Sequence, residues 1–121
     1  ITYKHCAGYA AGELKHGPLA LIENNIPVIV LAPFDENYSK LLSNIQEVKA
    51  RGGRIIMITD RDGAKKVKKY CDQIVIIPKT NFLTSPILYS IPVQLIAYYL
   101  AVFLGTDVDQ PRNLAKSVTV E

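Results

Sequence analysis

Pro27-Val-Ile-Val-Leu-Ala-Pro33 is a continuous apolar run, rich in β-branched residues and bracketed by prolines. A run this short, without polar alternation, reads as a buried strand of a parallel sheet. Downstream, Asp35 or Ser39 offers an N-cap, and Leu41, Leu42, Ile45 and Val48 recur at helical spacing until Gly52-Gly53 stops the helix. Arg54-Ile-Ile-Met-Ile-Thr59 is a second apolar run. Asp60 or Asp62 then caps a short helix with Ala64, Val67 and Cys71 facing inward, while Lys65, Lys66, Lys68 and Lys69 form a solvated face. Gln73-Ile-Val-Ile-Ile-Pro78 makes a third strand, and a long helix runs from about Pro86 to Leu104 with Gly105 as its stop. Strand and helix alternate three times, which predicts an α/β fold with a parallel sheet and helices on its faces. Three strands make a thin sheet. The expectation is that further strands lie before Ile1 and that the sequence, which opens abruptly and without Met, is a fragment of a longer protein.

Upstream of the first strand the pattern changes. Ala7 to Leu14 is small and apolar enough for a helix, ended by Glu13-Leu-Lys-His-Gly-Pro18. Gly17 suits a left-handed cap, and Pro18 suits the first position of a short helix from Leu19 to Ile22. The turn would hold Glu13, Lys15 and His16 beside a ligand-sized opening.

The chain has 121 residues, 49% apolar and 21% charged, with a net charge of +3. This is ordinary composition for one small domain. The charge is too mild to argue for nucleic acid, and no basic stripe with interleaved aromatics is present. Cys6 and Cys71 have no metal-ligand spacing, and two thiols fit a reducing cytoplasm better than a disulfide framework. No signal-peptide pattern opens the sequence. Residues 81–106 carry no charge, a length that could span a bilayer. Ser90, Pro92, Gln94, three tyrosines and the absence of a flanking positive cluster favour a buried or dimer-interface helix over a membrane span.

Two residues could carry chemistry. His16 sits at a Gly-Pro turn, where an imidazole can move protons near neutrality, although a histidine taken alone is more often a surface or capping group. Lys116 lies in the closing stretch Asp107-Val-Asp-Gln-Pro-Arg-Asn-Leu-Ala-Lys-Ser-Val-Thr-Val-Glu121. Taken alone it is a surface lysine. Desolvated by Leu114, Ala115, Val118 and Val120, it would become a free amine nucleophile. No glycine-rich phosphate loop is present, because Gly52-Gly53 ends a helix instead of opening one. Thr59-Asp60-Arg61-Asp62-Gly63 reads as a strand-to-helix connection.

Gly12-Glu-Leu-Lys-His-Gly-Pro-Leu-Ala-Leu-Ile22 and the closing stretch together resemble the glutamine:fructose-6-phosphate amidotransferase (glucosamine-6-phosphate synthase) family. The resemblance covers the whole chain. It implies the C-terminal part of that family's second sugar-isomerase (SIS) module, residues 1–105, followed by a tail, residues 106–121, that contributes to the active site. The implied fold is a three-layer, Rossmann- or flavodoxin-like parallel sheet, present as an incomplete C-terminal portion. The implied activity converts fructose 6-phosphate and glutamine-derived ammonia to glucosamine 6-phosphate, in hexosamine biosynthesis, with no cofactor or metal.

By the same resemblance, Lys116 is the Schiff-base lysine and His16 is the ring-opening histidine, which reaches the partner subunit's site. Ala115 and Val118 line the sugar site and the ammonia path. Implied partners are the sugar phosphate, a glutaminase domain of the same chain, and a second copy in a homodimer. The proton-shuttling glutamate would fall just before Ile1. The serine- and threonine-rich phosphate loops and the glutaminase cysteine would also lie upstream, and neither Cys6 nor Cys71 matches that cysteine. Ala7 departs from the family, which usually has an acid there. Without its upstream parts the chain is expected to be inactive. A non-catalytic sugar-phosphate sensor, or another SIS enzyme acting on amino-sugar phosphates, would share the layering. The sensor would not need Lys116.

Overall fold

The structure, a computed structural model, describes residues 1–112. They fall into two compact units, one of residues Ala7–Tyr89 and one that joins Ile1–Cys6 to the chain from Ser90 onward.

The first unit is built on three parallel strands in the order β1-β2-β3. Strand β1 is Pro27–Ala32, β2 is Arg54–Thr59 and β3 is Gln73–Ile76. Val28 pairs with Ile55, Val30 with Met57, and Met57 in turn with Ile74. Side chains alternate across a strand, so these residues share one face. Helices α1 (Tyr38–Ala50) and α2 (Arg61–Val67) supply the residues packed on it. Ile45 and Val48 of α1 and Val67 of α2 join Ile55, Met57, Ala32 and Tyr38 in one buried cluster. Each such Ile, Val or Met side chain contributes about 1.5–3 kcal/mol by leaving water. Truncation of Ile45 to Ala would cost about 2–5 kcal/mol.

The other face is only half covered. Ile58 is buried, but its register neighbours Leu31 and Val75 are exposed. The continuous apolar runs are therefore parallel strands as expected, yet only β2 is buried over most of its length. β3 is also shorter than its apolar run and ends at Ile76.

Neither Asp35 nor Ser39 caps α1. The N-cap position is Asn37, without a side-chain cap, and Asp35 instead accepts the Asn37 N–H at 2.9 Å in a turn before the helix. Gly52 ends α1 with φ +83°, and a Cβ there would meet Asn24 at 2.9 Å, so the position demands glycine twice over. Asp60 caps α2, accepting the N–H groups of Asp62 and Gly63, both at 2.9 Å. The four lysines of the α2 segment are exposed, as their pattern predicts.

The helix expected over Ala7–Leu14 does not form. Residues before Ala11 have no regular structure, and two 3-10 turns follow, Ala11–His16 and Pro18–Leu21. Gly8 and Gly12 weaken a helix that has no side-chain cap at Ala10 and buries no residue within the turn.

Helix α3 is Ser85–Phe103, one residue from its expected bounds, and Gly105 stops it with φ +69°. Of the two expectations for this helix, buried or at a dimer interface, burial within this chain is not found. α3 is long and apolar enough to cross a membrane, and only 11% of its most apolar window is buried within the chain. Ile91, Leu95, Tyr99 and Phe103 are all exposed.

Candidate active site

His16 closes the turn Ala11–His16, and two neighbours anchor that turn. Leu14 packs against the core cluster, and Lys15 reaches α1, with its Nζ 2.8 Å from Glu47 Oε1. Gly17 follows with φ +145°, a backbone that a side chain would strain. With Leu14 and Lys15 fixed, the imidazole faces solvent at 72% exposure, and its Nδ1 lies 3.6 Å from a Glu13 carboxylate oxygen. The turn thus presents an imidazole outward with an acidic neighbour. The expected opening beside Glu13, Lys15 and His16 is displaced. The nearby cleft, ≈ 320 Å³, touches Ala11 and Gly12 but none of those three.

At the carboxyl ends of β1 and β2 lies a buried polar cluster that the sequence reading passed over as a connection. Thr59 Oγ1 donates to Ala32 O at 2.6 Å, and Tyr38 Oη donates to Gly63 O at 2.7 Å. Asp60 is buried beneath its capping bonds. Burial pushes the Tyr89 phenol up to about 12, and the Asp60 carboxylate beside it adds to the rise. Burial raises Tyr38 as well. Gly63 is small because this packing needs it: a Cβ would sit 2.2 Å from Thr59 Oγ1 and 3.1 Å from the Tyr38 ring. Among the described residues no buried side-chain polar atom lacks a partner. The cluster therefore holds the loops at the sheet's carboxyl edge rigid and offers no idle acid or base.

Parallel sheets place their ligands at that edge. The cleft there, ≈ 570 Å³, is lined by residues 60–62, Lys65 and residues 76–79. Three of its charges meet one another: Lys65 and Lys79 both reach Asp62, at 3.3 and 3.4 Å. These two ammonium groups hold the Asp62 carboxyl below the usual range. Among the described residues no group of three or more His, Cys, Asp or Glu side chains comes together as a metal site. Both cysteines are free thiols.

In the second unit, residues 106–112 are held closely. Thr106 Oγ1 lies 3.0 Å from Ile1 O and 3.0 Å from Ala101 O. Asp107 accepts the N–H groups of Asp109 and Gln110 at 2.8 and 2.9 Å, and those bonds lower its carboxyl. Pro111 is buried. The Arg112 N–H donates to Tyr3 Oη at 2.7 Å, and the Arg112 guanidinium lies 3.9 Å from the centre of the Tyr3 ring. Residues 106–112 are thus tied to the first residues of the chain at Ile1 and Tyr3. Lys116, Ala115 and Val118 lie outside the described residues. Tyr3 and Arg112 were missed because no sequence pattern connects residues 109 positions apart.

The comparisons with known proteins agree with this architecture. The SIS domain model matches residues 1–104. The chain is 60% identical over all 121 residues to glutamine–fructose-6-phosphate aminotransferase [isomerizing] of Mesorhizobium japonicum, and 60% identical to that of Agrobacterium fabrum. It is 57% identical to that of Gluconobacter oxydans. In each case it spans all of this chain and 20% of the relative, so it corresponds to about a fifth of those proteins' length. The C-terminal domain of glucosamine-fructose-6-phosphate aminotransferase from Francisella tularensis superposes with a TM-score of 0.85 at 41% identity, covering 91% of this chain and 31% of that one. With a matching model over residues 1–104 and a parallel α/β sheet that superposes on such a domain, the chain belongs to the SIS domain family.

Proposed function

We propose that this chain is the C-terminal part of an isomerizing glutamine–fructose-6-phosphate aminotransferase, with residues 1–105 completing its second SIS module and residues 106–121 forming the active-site tail. The observation that carries this reading is 60% identity sustained over the whole chain, tail included, to relatives of that name. The full-length enzyme would act in the cytoplasm as a homodimer, passing ammonia from its glutaminase domain to fructose 6-phosphate and releasing glucosamine 6-phosphate.

The chemistry divides as follows. Opening the cyclic hemiketal moves a proton between the ring oxygen and the anomeric hydroxyl, which suits the imidazole of His16. Its outward presentation supports action in the partner subunit's site. The open ketone then condenses with the Lys116 amine, losing water to give a Schiff base. Ala115 and Val118 flank that amine and line the sugar site. The exposed apolar surface of α3 supports a further covering partner, a second copy or the rest of the module.

Borohydride reduction of the full-length protein with fructose 6-phosphate tests the reading. A sugar adduct is expected on Lys116 and absent from the Lys116→Arg variant. Substrate binding without any adduct would favour a non-catalytic sensor instead.

A further inference from the structure

We propose that Glu47 is a positioning residue for the His16 imidazole: its ion pair with Lys15 orients the turn from which His16 projects. The inference deepens the reading of His16 given above and rests on it. Lys15, His16 and Glu47 all belong to the unit Ala7–Tyr89. The His16 side chain has no firm hold of its own. It is 72% exposed, and its Nδ1 lies 3.6 Å from Glu13, beyond hydrogen-bond range. Glu13 is part of the same turn, so it moves with His16 and cannot fix it. The imidazole is therefore placed only as well as its backbone is placed.

The turn holds that backbone weakly by itself. Ala11–His16 is a 3-10 turn with no side-chain cap, and it buries no residue. Such turns have poor hydrogen-bond geometry, so its place is set by what it touches. Leu14 and Leu19 pack on the core cluster on either side of His16. Two points limit drift, yet the segment between them can still rock about the line that joins them. Lys15 supplies a third point, because its Nζ lies 2.8 Å from Glu47 Oε1. Glu47 is a firm anchor. In α1 it falls between Ile45 and Val48, each only 2% exposed and both in the core cluster, so the helix that carries it is locked to the sheet.

An exposed ion pair adds little to the stability of a fold. Rate is more demanding than stability. A reacting group displaced by about an ångström can slow a reaction about a hundredfold. A rocking turn would blunt proton transfer at the sugar ring while leaving the fold and the sugar's other contacts intact. In this role Glu47 touches no substrate; it acts through Lys15 and the turn.

The test uses the full-length enzyme. Glu47→Gln and Lys15→Met each break the pair and are expected to lower kcat about fivefold or more, with KM for fructose 6-phosphate and Tm unchanged. Reversal of one charge, Glu47→Lys or Lys15→Glu, should be at least as slow. The double reversal Lys15→Glu/Glu47→Lys restores an ion pair and should recover most of the lost kcat. In a His16→Asn background Glu47→Gln should lower kcat no further, since the tether then has nothing left to position. Wild-type kcat in both Glu47→Gln and Lys15→Met would overturn the tether. So would losses that track KM or Tm, a double reversal no faster than the single ones, or an equal loss in the His16→Asn background. His16→Asn also separates the two layers. If it turns over fructose 6-phosphate as wild type does, the reading of His16 fails and takes the tether with it. If it is slow while Glu47→Gln behaves as wild type, only the tether fails.

Discussion

Lys49 Nζ lies 2.7 Å from both carboxylate oxygens of Asp72, and Asp72 Oδ2 also accepts the Ile55 N–H at 2.7 Å. One carboxylate thus ties the last turn of α1, the start of β2 and the approach to β3. The Lys49 ammonium and the Ile55 N–H hold the Asp72 carboxyl below its ordinary value. A folded-state value below the unfolded one stabilises the fold above the unfolded value, about 3.9, and that stabilisation disappears as pH falls through the folded value. Asp72→Asn is expected to lower Tm by a few degrees at pH 7. The gap from wild type should narrow steadily below pH about 4. A gap independent of pH would mean that the carboxylate's charge is not what holds the junction.

Gly63→Ala tests the crowded carboxyl edge of the sheet. Helix propensity alone favours alanine by about 1 kcal/mol. The added Cβ would lie 2.2 Å from Thr59 Oγ1, which is itself bonded to Ala32 O. Overpacking should win, with a net loss of about 1–3 kcal/mol in urea unfolding. The double variant Thr59→Ala/Gly63→Ala should recover part of the loss, since the colliding oxygen is gone. A more stable Gly63→Ala single variant would contradict the packing described.

Tyr89 gives the opposite pH sign. Its phenol is raised to about 12, so the folded state favours the neutral form. Stability is intact below the unfolded value, about 10, and is lost as pH climbs from there toward the folded value. Tyr89→Phe should flatten that decline in a Tm-against-pH series. Ultraviolet titration at high pH should show one tyrosine fewer ionising late. If all the tyrosines of the wild type ionise together near pH 10, Tyr89 is not buried beside Asp60.

His16 is exposed, so its role and the fold's stability should separate. His16→Asn in the full-length enzyme is expected to leave Tm unchanged and to lower turnover of fructose 6-phosphate about 10²–10⁴-fold, the usual worth of a positioned acid–base group. The open-chain form of the sugar should restore part of the rate, because ring opening is then bypassed. A loss below about threefold would return His16 to the role of a surface histidine.

Much of the architecture was legible because local chemistry dictates it. The runs at Pro27, Arg54 and Gln73 are short, apolar and rich in β-branched residues, which marks them as strands of a parallel sheet, and Gly52 and Gly105 mark helix ends by their backbone freedom alone. The errors fall where local signals compete. Asp35 and Ser39 are both good caps, yet the chain bends at Asn37. Small apolar residues from Ala7 to Leu14 suggest a helix, but two glycines and the absence of a buried face defeat it. The exposure of α3 was half legible, because a composition apolar all round says that the helix is covered, by its own chain or by a partner, without saying which. His16 was singled out through its turn and the family pattern, and its role is a proposal. The polar cluster of Tyr38, Thr59, Asp60 and Tyr89 was not, because its members lie far apart in sequence and meet only when the sheet forms.

The clasp between the two ends of the described chain also sets an order of events. Tyr3 and Arg112 stand 109 positions apart, and Ile1 and Thr106 stand 105 apart. Contacts of such separation carry the largest loop-closure cost and close after the local ones have formed. During synthesis Tyr3 must wait for nearly everything between to emerge. Residues 106–112 are thus among the last of the described residues to be seated, an assembly order written into the chain by the distance between its contacting ends.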